Sequence, residues 1–144
     1  MSEATPSTDY MLFLDDERTP PKEKDVFGWE VVHAKNIREF IAAIRTRGAP
    51  AMIAFDWYLG AGEPDGLEAA RWLTFHDEEE DVIREDLIFY SQSSDKLKAR
   101  EISRLIAEYI AKKYGKDDPD DLIRAGRRKI PRETPPPPPH LRRS

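Results

Sequence analysis

Cysteine is absent from this chain, and glycine is sparse, with 7 in 144 residues. Without thiols there can be no disulfide framework, no thiolate metal site and no cysteine nucleophile, and a cytoplasmic setting is the expectation. Apolar runs stay short, Met11–Leu14 and Ala51–Phe55 being typical. None approaches the roughly 18 apolar residues that would read as a membrane span. The opening MSEATPSTDY carries neither a basic nor an apolar region, so it does not read as a secretory signal. Histidine is rare as well, with 3 in the chain. His33 and His76 read as structural or exposed side chains rather than as catalytic ones.

Charge is what the chain has in plenty. Charged residues make 35% and hydrophobic ones 39%, a balance that suits a single soluble domain with a heavily charged surface. The net charge of -5 conceals an asymmetry. Residues 1–121 hold 16 Lys+Arg against 27 Asp+Glu, whereas residues 122–144 hold 7 against 1. An acidic body argues against broad electrostatic binding to nucleic acid, and leaves room for a local anion site or for a contact made by the basic tail.

Short apolar runs alternate with amphipathic segments along residues 10–115. Met11–Leu14, Ala51–Phe55 and Leu87–Tyr90 read as strands buried on both faces, and Trp29–Ala34 as a further strand. Asn36 with Glu39 at capping-box spacing opens one helix, which Gly48 and Pro50 end. A second helix follows the loop Gly60–Gly66, and a long third spans Asp95–Tyr114 up to Gly115. The charge run His76–Asp81 reads as a solvated helix end. Trp29 and Trp72 read as core. The pattern predicts an α/β layer fold with a mainly parallel sheet. Residues 1–9 read as a disordered leader, and residues 116–144 as a charged tail with room for a basic turn of helix within Leu122–Arg132 and with prolines 135–139 that favour extended polyproline II.

Chemistry is expected at the carboxyl ends of the strands, where open parallel sheets bind ligands. Asp15 and Asp16 follow the first strand, Asp56 the third and Ser91 the fourth. Converging carboxylates repel one another unless a cation lies among them, and an all-oxygen ligand set favours Mg²⁺, which commonly completes its shell with a phosphate. Arg18 offers a charge-assisted fork to such a phosphate, or else neutralises its acidic neighbours, and the Ser91 hydroxyl offers a donor. Trp57 is expected beside the site.

The stretches LFLDDER, IAFDWYLG, PDGLEAARWL and LIFYSQS resemble the receiver domain of response regulators over residues 11–114. The resemblance implies a flavodoxin-like three-layer sandwich. By position it makes Asp15 and Asp16 a metal-binding pair, Asp56 the phosphoacceptor, Tyr58 a metal ligand through its backbone carbonyl, and Ser91 the conserved hydroxyl. Two features depart from that pattern. A proline-led loop, Thr19–Gly28, replaces the first helix, and no fifth strand ending in lysine follows residue 114. Both departures, with the LDDER-T-PP opening, are similar to the cyclic-phosphate processing receiver-like family of bacteria and phages, a shortened receiver with about four strands. That resemblance implies a role on cyclic phosphates, RNA ends among them. The family's Asp-His-Asp-Leu-Gly motif reads Asp56-Trp57-Tyr58-Leu59-Gly60 here, and its His-Ser reads Tyr90-Ser91. With both family histidines replaced, Asp56 and a metal-bound water remain as general-base candidates.

Three expectations follow. One is a Mg²⁺-dependent site for a phosphate-bearing ligand, such as a cyclic nucleotide or RNA end, with Asp56, Arg18 and Ser91 acting on the phosphate. Another is a phosphoacceptor switch at Asp56. The last is a non-catalytic interaction module whose tail meets a protein partner.

Overall fold

The computed structural model describes residues 9–93 and 95–129. The expected leader up to residue 8 and the proline-rich stretch within 130–144 lie outside the described residues. Four strands, β1 (Tyr10–Leu14), β2 (Glu30–Ala34), β3 (Met52–Phe55) and β4 (Ile88–Ser91), form one all-parallel sheet in the order β2-β1-β3-β4. This is the first four places of the flavodoxin-like order. The expected α/β, receiver-like architecture is therefore present.

Alternation along the strands divides the core into two faces. Leu12 and Leu14 of β1, Ile53 and Phe55 of β3 and Phe89 of β4 join side chains from three helices, α1 (Ile37–Arg47), α2 (Gly66–Glu80) and α3 (Lys96–Tyr114). Met11, Phe13, Met52, Ala54 and Tyr90 face the other way, where Val26 and Trp29 of the β1–β2 connection pack against them. That connection holds one 3-10 turn, Glu23–Asp25, and no α-helix, so the proline-led loop forms a thin layer where a helix could have lain. Pro20 and Pro21 lack the amide hydrogens that a helix interior requires.

Helix ends follow local chemistry. Asn36 accepts from the Glu39 amide, and Glu39 returns a bond to the Lys35 amide. Asp65 caps α2 through the Glu68 amide, and Asp95 caps α3 through the Leu97 and Lys98 amides. Ile102, Ile106 and Ile110 run at four-residue spacing down the buried side of α3. Leu97, in the first turn of α3, is exposed. Trp29 and Trp72 pack at the margins of the core rather than within it.

Two expectations need correction. The packed body does not end at residue 115: residues Pro119–Arg128 form a further helix, α4, capped by Asp118. Gly126 of α4 lies so close to the Phe89 backbone that a Cβ there would collide with its carbonyl oxygen. The His76–Asp81 run is not wholly solvated either. Asp77 is buried, and its carboxylate accepts from the Val82 and Ile83 amides, the Tyr109 hydroxyl and the Lys113 ammonium. These bonds tie the end of α2 to the end of α3. Among the described residues, no helix is long and apolar enough to cross a membrane.

Candidate functional site

The strand ladder carries on one residue past each strand's end. The Asp15 amide donates to Ala34, the Asp56 amide to Leu14 and the Gln92 amide to Phe55. Asp15, Asp56 and Gln92 therefore stand side by side at the carboxyl edge of three neighbouring strands. β1 and β3 flank the point where the chain reverses its direction of travel across the sheet, which is where doubly wound folds open a crevice. Oxygens of Asp15, Asp16 and Asp56 all lie within 4.8 Å of one another there. The three carboxylates expected to converge do so.

Asp15 is fully buried, and hydrogen bonds fill its carboxylate. Its Oδ1 accepts from the Glu17 and Arg18 amides, both at 2.8 Å, folding the DDER stretch into a tight turn. Its Oδ2 accepts from Arg18 Nη1 at 2.9 Å and from Gln92 Nε2 at 2.8 Å. Arg18 Nη1 also lies 3.4 Å from Asp56 Oδ1, so the guanidinium spans two of the three carboxylates. Of the two roles open to Arg18 in the sequence, neutralisation of its acidic neighbours is the one seen in this arrangement.

Asp56 accepts from the Trp57 amide at 2.9 Å. Burial, and then the Asp15 charge beside it, push its carboxyl up to about 6, while Arg18 and the Trp57 amide pull in the opposite direction. The loop beyond Asp56 is held tightly. Gly66, the first residue of α2, donates to the Trp57 carbonyl at 2.7 Å, and a Cβ at Gly66 would collide with the Asp56 carbonyl oxygen. The PDG sequence thus locks the start of α2 onto the strand end that carries Asp56. Gly60 brings the same loop back over Asp16, with backbone φ of 116°, a value glycine tolerates far better than other residues. Trp57 borders the crevice, half-buried, with Lys98 Nζ 5.1 Å from its ring centre.

Ser91 sits differently from the carboxylates. It is in register with Phe55, one residue short of the row formed by Asp15, Asp56 and Gln92, and alternation turns it toward the helix-packed face. Its Oγ is buried and has no hydrogen-bond partner among the described residues. Gln92, unremarked in the sequence, is the residue after β4 that reaches Asp15. Tyr58 follows Trp57 with its ring exposed; its assignment as a carbonyl ligand rests on its place two residues after Asp56. His33, set aside in the sequence, places Nε2 2.7 Å from the Asp15 carbonyl oxygen. A carbonyl can only accept, so Nε2 carries the proton, and the imidazole buttresses the backbone beneath the carboxylates. The signal for Gln92 and His33 was register: each follows from the parallel pairing of β2 and β4 with their neighbours.

A set of three carboxylates suits a hard, oxygen-preferring divalent ion. The donors present fit Mg²⁺ in type and in mutual distance. Asp15 already has about four acceptor positions filled, as many as a carboxylate offers.

A family model described as the cyclic-phosphate processing receiver domain matches residues 10–108. Among curated proteins, none matches. Among solved structures, NtrX from Brucella abortus, crystallised in complex with ADP, is similar with a TM-score of 0.45 and 18% identity. That alignment covers 83% of this chain and 26% of the NtrX chain.

Proposed function

Since the chain belongs to the cyclic-phosphate processing receiver family, we propose that its acidic crevice binds a phosphate-bearing ligand together with Mg²⁺ and acts on cyclic phosphates. The observation that carries this reading is the convergence of Asp15, Asp16 and Asp56 within 4.8 Å, at the ends of strands on either side of the switch point. Asp16 and Asp56 would be the principal ligands of the ion, with Asp15 behind them and the Tyr58 carbonyl completing the protein's share. When bound, Mg²⁺ supplies neutralisation of the ligand's phosphoryl charge.

The remaining chemistry belongs to the chain's own residues. Arg18 stands at the mouth of the crevice with a planar fork suited to two phosphoryl oxygens. Asp56, at the end of β3, would be the carboxylate that takes a proton from an attacking water and hands it on. His33 and the Glu17 and Arg18 amides keep the Asp15 turn rigid. Ser91, whose Oγ has no hydrogen-bond partner among the described residues, would serve the phosphate as a hydroxyl donor. Trp57, packed against the core with Lys98 over its ring, forms one wall of the crevice.

Hydrolysis of a 2′,3′-cyclic nucleotide by the full chain with Mg²⁺ tests the proposal. Turnover that disappears in Asp56→Asn is expected. A chain that binds Mg²⁺ yet leaves every 2′,3′-cyclic nucleotide intact would end the enzymatic reading. Incubation with a small phosphodonor separates the phosphoacceptor alternative, since a mass gain of about 80 Da localised to Asp56 would mark one phosphoryl group.

A further inference from the structure

We infer that Arg18 is the resident cation of the acidic crevice, so that a divalent metal and a phosphate oxyanion enter it in concert, each drawing Arg18 away from Asp15 and Asp56. This rests on the reading of the crevice as a metal-assisted phosphate site.

The reasoning begins with the saturated carboxylate. Asp15 Oδ1 is committed to two backbone amides, and Oδ2 is shared by Arg18 Nη1 and Gln92 Nε2. An incoming metal gains an oxygen from Asp15 only when a donor on Oδ2 gives way. Of those two donors, Gln92 is neutral and Arg18 is charged. The charge of Arg18 lies where an ion would lie, 2.9 Å from Asp15 and 3.4 Å from Asp56. Two cations in that space repel each other, so electrostatics selects Arg18 as the group that leaves.

Its surroundings allow it to do so. The Arg18 side chain is 46% exposed, whereas that of Asp15 is fully enclosed. The backbone of Glu17 and Arg18 stays pinned by Asp15 Oδ1, so the side chain can swing while the turn holds. A guanidinium released into water loses its paired carboxylates and recovers only hydration. A phosphate held at the crevice mouth offers it a new bidentate partner. Metal alone must therefore displace Arg18 without compensation, and phosphate alone must draw Arg18 from carboxylates left unneutralised. Together they avoid both losses, which is positive coupling, and linkage makes that coupling equal in both directions.

The test is calorimetric titration of Mg²⁺ into the full chain and into Arg18→Gln, each with and without inorganic phosphate, corrected for Mg²⁺ held by phosphate in solution. The inference expects wild type to bind Mg²⁺ several-fold more tightly with phosphate present. It expects Arg18→Gln to bind Mg²⁺ alone about fivefold more tightly than wild type, the equivalent of one modest ion pair removed, with the phosphate effect abolished. Equal Mg²⁺ affinities in the two proteins, indifferent to phosphate, would overturn the role of Arg18 and leave the metal site standing. No Mg²⁺ uptake by either protein would overturn both. A second readout needs no variant in its measured sample. The Arg18 Nε–H resonance of wild type, assigned by its absence from the Arg18→Gln spectrum, should move when Mg²⁺ and phosphate are added together. A resonance that stays in place at Mg²⁺ saturation refutes the exchange.

Discussion

Asp77→Asn is the substitution whose outcome depends most directly on a buried contact. It keeps the shape of the side chain and removes its charge. In the native protein Oδ1 accepts from the Val82 and Ile83 amides at 2.9 and 2.8 Å, while Oδ2 accepts from Tyr109 and Lys113, both at 2.7 Å. An asparagine can still serve the two amides through its oxygen. Its NH₂ group then confronts an ammonium that cannot accept from it, and a hydroxyl that can accept only by giving up its own donation. Removing one partner of an enclosed pair costs about 3–5 kcal/mol, and half of the acceptor function survives here, so a loss of about 2–3 kcal/mol is expected near neutral pH.

The loss should depend on pH in one direction. Burial on its own would raise the Asp77 carboxyl, but the bonds from Lys113, Tyr109 and the Ile83 amide outweigh it and hold the group below the ordinary carboxylate range. A carboxyl depressed in the folded state contributes its stability above the unfolded value of about 3.9, and loses it as pH falls through the folded value. Lys113 and Tyr109, which donate to this carboxylate, do not reverse that sign, because both stay protonated throughout the acid range. Urea unfolding followed by circular dichroism reads both effects. The midpoint of Asp77→Asn should fall well below that of wild type near neutral pH with the slope unchanged, and the two should converge in acid. A neutral-pH difference under about 0.5 kcal/mol, a value typical of an ordinary surface change, would refute the buried-network account. So would a difference that does not vary with pH.

Other substitutions probe the crevice and its supports. Gly66→Ala drives a methyl group into the Asp56 carbonyl, and it should abolish any Mg²⁺-induced change in tryptophan fluorescence, since Trp57 and Asp56 move together; an unaltered titration would show that the loop yields freely. Ser91→Ala removes a buried hydroxyl with no partner, so urea unfolding should find stability unchanged or raised by up to about 1 kcal/mol. A loss above about 1 kcal/mol would mean that the hydroxyl is bonded after all. Gln92→Ala withdraws one of four donors from Asp15 and should cost about 1 kcal/mol in the same assay, less than the Asp77 change, because Arg18 continues to serve Oδ2.

Much of this arrangement could be read in advance because strands and carboxylates announce themselves locally. Five consecutive buried residues of β1 running into Asp15, and four of β3 running into Asp56, mark a parallel strand and its ligand-facing end without reference to anything distant. Asn36, Asp65 and Asp95 likewise act on amides two or three residues away. Gln92 was missed because its importance depends on the register between β3 and β4, which no local pattern encodes. Asp77 was taken for one acid in a solvated run, since its partners Tyr109 and Lys113 come from a helix more than thirty residues later. The helix at Pro119–Arg128 was read only as a basic turn within Leu122–Arg132, because its charges resemble those of a tail; Leu122 and Ile123 against the core, and Gly126 seated on Phe89, reveal its inward side.

That seat settles what happens at the open side of the sheet. Ile88 and Gln92 direct their amides inward to β3, so the groups of Phe89 point outward, to the side where β4 has no strand neighbour among the described residues. Such a row of unpaired donors and acceptors is a template for another chain's strand, and proteins that leave one uncovered risk sticking edge to edge. Here α4 lies over it, close enough that only glycine fits at the contact. With four strands among the described residues, the sheet thus keeps a helical cover on that flank, and the smallest stretch fit for expression reaches through Arg128 rather than stopping at Gly115. Cut at Gly115, the sheet would present a bare flank, and self-association rather than unfolding would be the first symptom.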